Sequence, residues 1–297
     1  MARESQIHLS IRSKQGSGFL DLPYTGFVCS PQRQAVMPPP NDAPALRREI
    51  HVIESCPQEL CLSDMLADVL SEARREYAWK AETAAESQEM IIHLEEETER
   101  RLKNLDGVNA HWIVQEVSRW GGNNRKAIRA IASASSEQKL ELADLIDQLL
   151  TPSSSRDALR ALTNQRGLSL VMASKIYRFC CLQIGAALDR HSSYFFNSLS
   201  LRVEAGEPRY CTQFKREWAN GKRRASRLAV YTDSKCDANL NEYCATYLPL
   251  LKAIANALNS QRGGFPCATS GVIRPWRPTD VEMAAYFWWS RTVTEFR

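Results

Sequence analysis

The sequence has no long hydrophobic run and no pair of cysteines separated by two residues. A membrane-spanning helix needs about 20 apolar residues, so we expect no membrane association, and residues 1–18 are too polar for a secretory signal. The nine cysteines are scattered and odd in number, which favours reduced thiols. We therefore expect a cytoplasmic protein without a disulfide framework, a structural zinc, an iron–sulfur cluster or another cofactor.

Strand-like alternation of polar and apolar residues is almost absent after residue 60. The 297 residues, of which 44% are hydrophobic, can bury one large core or two modest ones. From Ser63, a plausible helix cap, the pattern is helical to Leu105, as one long helix or two shorter ones. Further helices are predicted at residues 110–119, 125–134, 136–150, 155–163, 170–182, 189–201, 208–231, 239–260 and 279–295. The predicted fold class is all-α, a helical bundle.

Residues 1–60 differ from this helical body. They are rich in Gly, Pro and Ser and contain three consecutive prolines at residues 38–40, so we expect an irregular arm with one or two short strands, such as residues 6–11. Residues 61–297 form the predicted body. The Thr-Pro-Ser-Ser cluster near residues 151–155 leaves open a division of the body into two helical subdomains.

The net charge of +4 is modest, but the charges are unevenly placed. Residues 202–227 carry eight Lys or Arg against three Glu, a candidate footprint for a polyanion or, alternatively, a solvated helix face. Residues 82–99 carry seven Glu and no Lys or Arg, so this face should point away from any nucleic acid.

Residues 159–199 hold the most informative motif. A short helical pattern, a turn at residues 167–169 and a second helix can bind a phosphate through free backbone amides. Residues 167–174 (GLSLVMAS) resemble the Gly-Val-Gly hairpin and following helix of the helix-hairpin-helix DNA glycosylases, and residues 188–190 (LDR) resemble their carboxylate-bearing segment. Residues 112–123 and 277–283 resemble segments of poorly characterised bacterial relatives of that superfamily.

The resemblance implies a fold, an activity and a partner. The fold would contain a helix-hairpin-helix motif, the partner would be double-stranded DNA, and the activity would be excision of a flipped base, with Asp189 facing its sugar. A carboxylate there stabilises the cation that develops at C1′ and orients the attacking water. Asp189 also precedes a helix, so capping that helix is the competing interpretation, and the two roles can coexist.

Two departures from the family pattern bear on the chemistry. Ser169 replaces the second hairpin glycine, where a positive φ would be unfavourable, and its hydroxyl is a candidate phosphate ligand. Val171 stands where the strand-cutting members carry a Schiff-base lysine. We therefore expect a monofunctional enzyme, and Lys175, one helical turn later, is the alternative lyase nucleophile or an outward-pointing ion-pair partner.

The remaining candidate residues divide into two groups. Aromatic walls for an extruded base are predicted at Trp120, Tyr194, Phe195 and Trp276. Predicted DNA contacts are Arg166, Gly167, Ser169, Ser174, Arg190, Lys222, Arg223 and Arg224.

Three functions of different classes fit the sequence. The first is a DNA glycosylase acting on a damaged or modified base, in repair or, by family analogy, in antiviral defence against hypermodified bases such as the substituted cytosines of phage DNA. The second is a non-catalytic helix-hairpin-helix module that binds DNA for a partner nuclease or regulatory complex. The third is a helical interaction protein that binds no nucleic acid.

Overall fold

The computed structural model describes residues 7–11, 60–121, 125–165, 167–202, 209–210, 212–218, 226–228 and 233–295. Its α-helices are α1 (Asp64–Arg75), α2 (Ala84–Leu102), α3 (Gly107–Trp120), α4 (Arg125–Ala132), α5 (Ser136–Leu150), α6 (Ser155–Asn164), α7 (Leu170–Cys180), α8 (Arg190–Ser198), α9 (Asp233–Glu242), α10 (Leu248–Arg262) and α11 (Pro278–Glu295), with a π-helical turn (Tyr243–Tyr247) joining α9 to α10. The strands are β1 (Ile7–Ile11), β2 (Leu60–Leu62), β3 (Leu199–Arg202), β4 (Arg209–Tyr210), β5 (Arg216–Trp218), β6 (Ser226–Leu228), β7 (Phe265–Pro266) and β8 (Ile273–Arg274). The prediction of an all-α fold is confirmed.

Local capping explains where the helices begin. Ser63 caps α1 by accepting a hydrogen bond from the Leu66 amide. The helical pattern that follows is two helices rather than one, because Thr83 and Glu86 form a reciprocal capping box that starts α2.

Helix α11 lies at the centre of the described core. It packs against α1, α8 and α10, while α3 packs against α2, α5 and α7. Val281, Met283, Ala284 and Ala285 have no exposed surface, so the first half of α11 is buried nearly all round. Buried apolar residues from Leu62 to Ala285 belong to one cluster, and the subdomain boundary near residues 151–155 stays a prediction.

A buried ion network joins α11 to three other helices. Asp280 accepts hydrogen bonds from Arg74 of α1 at 3.0 Å and from Arg277 at 3.0 Å. Glu95 of α2 accepts from Arg277 at 2.9 Å and from Arg178 of α7 at 3.4 Å. Because each carboxylate lies between two guanidinium groups, the network fixes how these helices are arranged.

The predicted strand in the N-terminal arm is also confirmed. Strand β1 pairs in parallel with β2, with Ile7 opposite Leu60, and antiparallel with β3, with Ile11 opposite Leu199. The sheet has the order β2-β1-β3-β4. The arm's described strand therefore lies beside the strand that follows α8.

The predicted helix over residues 208–231 is wrong in its described parts. Residues 209–210 form β4, and β5 pairs antiparallel with β6, with Glu217 opposite Arg227. Asn220-Gly221, a dipeptide typical of β-hairpin connections, stands between the two strands in the sequence.

Candidate active site

A narrow recess opens where α7, α11 and the ends of α1, α3 and α8 meet. Its volume is about 10 Å³, which is room for a single water molecule. Four of its wall residues are aromatic and three are ionisable, and the full lining is Tyr77, Trp79, Trp120, Lys175, Ala187, Asp189, Glu282 and Tyr286. The recess thus brings together three residues that the sequence singled out separately, Trp120, Lys175 and Asp189.

The carboxyl end of α3 organises one side of the recess. Three consecutive carbonyl oxygens each accept a hydrogen bond from a different side chain: Arg119 from Lys80 Nζ at 2.5 Å, Trp120 from Trp79 Nε1 at 3.0 Å, and Gly121 from Lys175 Nζ at 2.5 Å. The last carbonyls of a helix lack intrahelical partners and carry partial negative charge, so they suit these donors.

Asp189 is held by the amino end of α8. Its Oδ1 accepts hydrogen bonds from the amides of His191 at 2.7 Å and Ser192 at 2.9 Å, and Ser192 Oγ completes a capping box. No described residue donates a hydrogen bond to Oδ2. The capping interpretation of Asp189 is therefore confirmed, and the same carboxylate also lines the recess.

Ser174 positions the chain that leads to Asp189. The hydroxyl accepts a hydrogen bond from the Leu188 amide at 2.9 Å and donates to the Val171 carbonyl at 2.9 Å. Ser174 has no exposed surface. The prediction that Ser174 contacts DNA is corrected accordingly, because this hydroxyl joins α7 to the residue before Asp189.

Lys175 points into the recess wall and not outward. The side chain is buried, and its Nζ lies 6.0 Å from the centroid of the Trp120 ring. Burial lowers the pKa of this amine, against the opposing effects of Asp189 and Glu282. A lysine in this setting is more readily neutral than one on the surface.

Glu282 is the site residue that sequence reasoning missed. Only 4% of it is exposed, and it makes no hydrogen bond to any described residue. Burial, followed by the charge of Asp189, raises the pKa of Glu282 to about 8. Its signal in the sequence was a carboxylate between Val281 and Met283, in the largely apolar first half of α11.

The aromatic walls hold one another edge to face. The Tyr286 ring packs against Tyr77 at 6.4 Å, against Trp79 at 5.3 Å and against His191 at 5.2 Å between centroids. These contacts join residues 76–83 to α11 and α8. Tyr77 and Trp79 were not predicted, since they lie in the connection between α1 and α2 without a periodic pattern.

The hairpin before α7 has the geometry that its one glycine permits. Gly167 has a φ of 87°, in the left-handed region, whereas Ser169 is extended with a φ of −124°. Ser169 replaces glycine here without strain. It is the cap residue of α7, and its side chain makes no capping hydrogen bond.

Two predicted base-contacting rings are core residues instead. Phe195 has no exposed surface and packs against Phe196 and Trp288. Trp276 is 3% exposed and packs against Phe265 at 5.1 Å. Neither ring lines the recess, because each completes apolar packing behind it.

Tyr194 also lies apart from the recess. Its ring is stacked against Trp289 at 5.8 Å, and the Arg216 guanidinium carbon lies 3.4 Å from its centroid. Arg216 also donates to Ser193 Oγ at 2.6 Å. This arrangement covers both faces of Tyr194 with side chains, so the structure corrects its predicted role as a pocket wall.

The remaining predicted DNA contacts are only partly visible. Arg190 is half-buried at the first position of α8, next to Asp189. Arg166 and residues 222–224 lie outside the described residues. The predicted phosphate contact of that basic segment therefore stays a prediction.

Within the described ranges, no group of three or more His, Cys, Asp or Glu side chains could hold a metal ion. No described helix is both long enough and apolar enough to span a bilayer. Four described cysteines, Cys180, Cys181, Cys244 and Cys267, are unbridged thiols.

Comparison with known proteins adds no relative to this description. No family model, curated protein or solved structure matches the chain.

Proposed function

We propose that the protein is a DNA glycosylase, probing for a damaged or modified base, flipping it out of the duplex and hydrolysing its N-glycosidic bond to leave an abasic site. The observation that carries this proposal is the position of Asp189. One oxygen of its carboxylate is held by the α8 amides, and the carboxylate lines an aromatic recess together with Lys175.

The geometry of Asp189 suits stabilisation of a cation. Two backbone donors fix Oδ1 and so orient the whole carboxylate, and no described residue donates a hydrogen bond to Oδ2. As the glycosidic bond breaks, positive charge develops on the sugar, and a prepositioned carboxylate stabilises this charge without reorganising. The Asp189 carboxylate can then accept a proton from the attacking water.

The aromatic walls supply what a flipped base loses on leaving the stack. Trp79, Trp120 and Tyr286 offer ring surfaces that can replace neighbouring bases. The recess is narrow, so the wall formed by residues 76–83 has to move outward to admit a base. Lys80 in this wall has a φ of 55°, a strained value for a non-glycine residue, which marks a segment with stored strain.

The start of α7 offers a phosphate site beside this recess. Its first amides have no side-chain cap, and the left-handed Gly167 turns the chain just before them. A helix amino terminus of this kind binds anions. Lys175 lies five residues into the helix, about 7.5 Å along its axis, so one helix can hold the backbone and the recess together.

The proposed substrate is a modified or damaged base in double-stranded DNA, and hypermodified phage bases are one candidate class. The alternative is a DNA-binding module without chemistry. A glycosylase needs the Asp189 carboxylate to form its product, whereas a DNA-binding module without chemistry needs Asp189 only for the fold.

The test compares wild type with Asp189→Asn on duplexes bearing oxidised, alkylated, deaminated and hypermodified bases. Asparagine is as good a helix cap as aspartate, so α8 should be retained while the charge is lost. Asp106→Asn is the matched control, because Asp106 caps α3 at the end far from the recess. Abasic sites are detected as strand breaks that need hot alkali.

We expect breaks in wild type and Asp106→Asn, none in Asp189→Asn, and similar DNA binding by all three. Equal activity of Asp189→Asn would contradict the proposal, as would parallel loss of binding and activity.

A second measurement is independent of the base: wild type should bind a duplex with a cationic pyrrolidine abasic analogue more tightly than one with neutral tetrahydrofuran. Salt-sensitive binding with neither preference nor product would support the non-catalytic module.

A further inference from the structure

Glu282 is the one recess carboxyl without an assigned task. It is almost fully buried, it lines the same recess as Asp189, and no described residue forms a hydrogen bond with it. Because its carboxyl lines the recess, Glu282 can exchange a hydrogen bond or a proton with a ligand that enters there.

Burial, followed by the negative charge of Asp189, raises the pKa of Glu282 and so favours its neutral, proton-carrying form. The charges of Arg178, Lys175 and Arg74 oppose this effect without reversing it. The groups that face it from the packed elements include cations and phenols as well: Asp189, Lys175, Arg178, Arg74, Tyr77, Tyr247 and Tyr286. The recess therefore presents one carboxylate acceptor at Asp189 and one carboxylic acid donor at Glu282, a pairing suited to acid and base work.

The aromatic wall argues against a cationic ligand. The Arg178 guanidinium carbon lies 4.9 Å from the Trp120 centroid, and Lys175 Nζ lies 6.0 Å from it. Both side chains already lie against the Trp120 ring, so this ring is not available to bind a positively charged base. The charge of Arg178 also repels such a base.

We propose that Glu282 donates the proton to the departing base, and that the recess therefore takes neutral bases, which need a proton to leave, rather than cationic alkylated purines. This inference rests on the proposed glycosylase function. Cationic bases leave as neutral molecules and gain nothing from an acid, whereas a neutral base without an acid must leave as an anion.

The proton and electron count closes with water as the only co-reactant. The C1′–N bond breaks with its electron pair going to the base nitrogen, and the proton of Glu282 goes to the base. Water adds to C1′ and passes a proton to Asp189. Solvent then takes this proton and reprotonates Glu282, so the net reaction adds one water across the bond.

The test measures single-turnover excision as a function of pH on two kinds of duplex. One carries 7-methylguanine, a cationic base, and the others carry neutral bases: uracil, 8-oxoguanine and 5-hydroxymethylcytosine. Wild type is compared with Glu282→Gln. Glu242→Gln is the matched control, because Glu242 is half-buried on α9, away from the recess, with a pKa that burial also raises.

We expect Glu282→Gln to slow excision of the neutral base that wild type accepts by about 10²-fold or more. The decline of the wild-type rate as pH rises through the Glu282 pKa of about 8 should also disappear in this variant. An unchanged rate and pH profile in Glu282→Gln would overturn the inference. So would a wild type that excises 7-methylguanine faster than every neutral base, although the glycosylase function would then stand.

An infrared difference spectrum provides a readout that needs no substrate. Wild type at neutral pH should show the carbonyl stretch of a protonated carboxyl group that Glu282→Gln lacks and Glu242→Gln keeps. Absence of this band from wild type would overturn the role of Glu282 as a donor. Failure of the glycosylase function itself is seen separately, in the loss of both Asp189-dependent excision and the pyrrolidine preference.

Discussion

At the residue scale, Asp189 is both a helix cap and a residue of the recess wall. Its Oδ1 caps α8, and its carboxylate also lines the recess. Capping helps the proposed chemistry, because a carboxylate held by the α8 amides has a fixed orientation, whereas an uncapped side chain could rotate. The motif at residues 188–190 is sufficient to predict the cap, but it does not contain the aromatic walls, which come from the α1–α2 connection, α3 and α11.

Lys175 carries a residue-scale prediction about strand cleavage. Incubated with an abasic duplex and borohydride, wild type should form no covalent adduct, because Lys175 Nζ is engaged by the Gly121 carbonyl at 2.5 Å. Denaturing gel electrophoresis detects the adduct. An adduct that is lost in Lys175→Gln but kept in Lys80→Gln would instead identify Lys175 as a lyase nucleophile. Lys80 is the matched control, since it donates to the same helix end from an exposed position.

At the element scale, the hairpin before α7 depends on one glycine. Gly167→Ala places a side chain at a φ of 87°, which should cost about 1–2 kcal/mol of unfolding free energy and weaken DNA binding by displacing the first amides of α7. Ser169→Gly is the control, because the extended Ser169 needs no glycine and the change should leave the turn intact. Denaturant unfolding and fluorescence anisotropy measure the two effects. Equal stability of Gly167→Ala and wild type would contradict the argument.

The end of α3 shows how elements build the site from residues with no sequence motif. Its last carbonyls accept hydrogen bonds from residues 79, 80 and 175, which come from two distant segments. Residues 112–123 were singled out only by resemblance. The structure places the last carbonyls of α3, in the described part of this stretch, beside the recess.

At the scale of the whole molecule, the ion network around Asp280 holds the helices that carry the recess. Asp280→Asn leaves Arg74 buried without its carboxylate, and loss of one partner of a buried pair costs about 3–5 kcal/mol. Glu76→Gln, which breaks an exposed pair with Arg291, should cost less than about 1 kcal/mol. Denaturant unfolding of the two variants measures the contrast. Similar small losses in both would show that the network contributes little.

The same network predicts acid sensitivity with a definite sign. Burial opposes ionisation of Asp280, but Arg277 and Arg74 outweigh it and lower its pKa below the usual 3.8. A carboxyl with a lowered pKa stabilises the fold fully above its unfolded pKa, and this contribution is lost as pH falls through the folded pKa. The stability difference between wild type and Asp280→Asn should therefore narrow in acid.

The sequence by itself determined the helical class, the strand in the arm, several caps and the candidate carboxylate. These features follow from local signals: hydrophobic period, cap residues and a short motif. The hairpin β5–β6 was missed because charge spacing was weighed above a turn dipeptide.

Only the tertiary structure decided which residues share the recess. Phe195 lies near the motif and Trp276 lies on a loop, but both are core residues. Tyr77, Trp79 and Glu282 line the recess, although each is more than 90 residues from Asp189 in the sequence. The reason is that packing of α11 against α1 and α8 brings distant segments together. Burial and the neighbouring charge of Asp189 then raise the pKa of Glu282, which no local sequence pattern predicts.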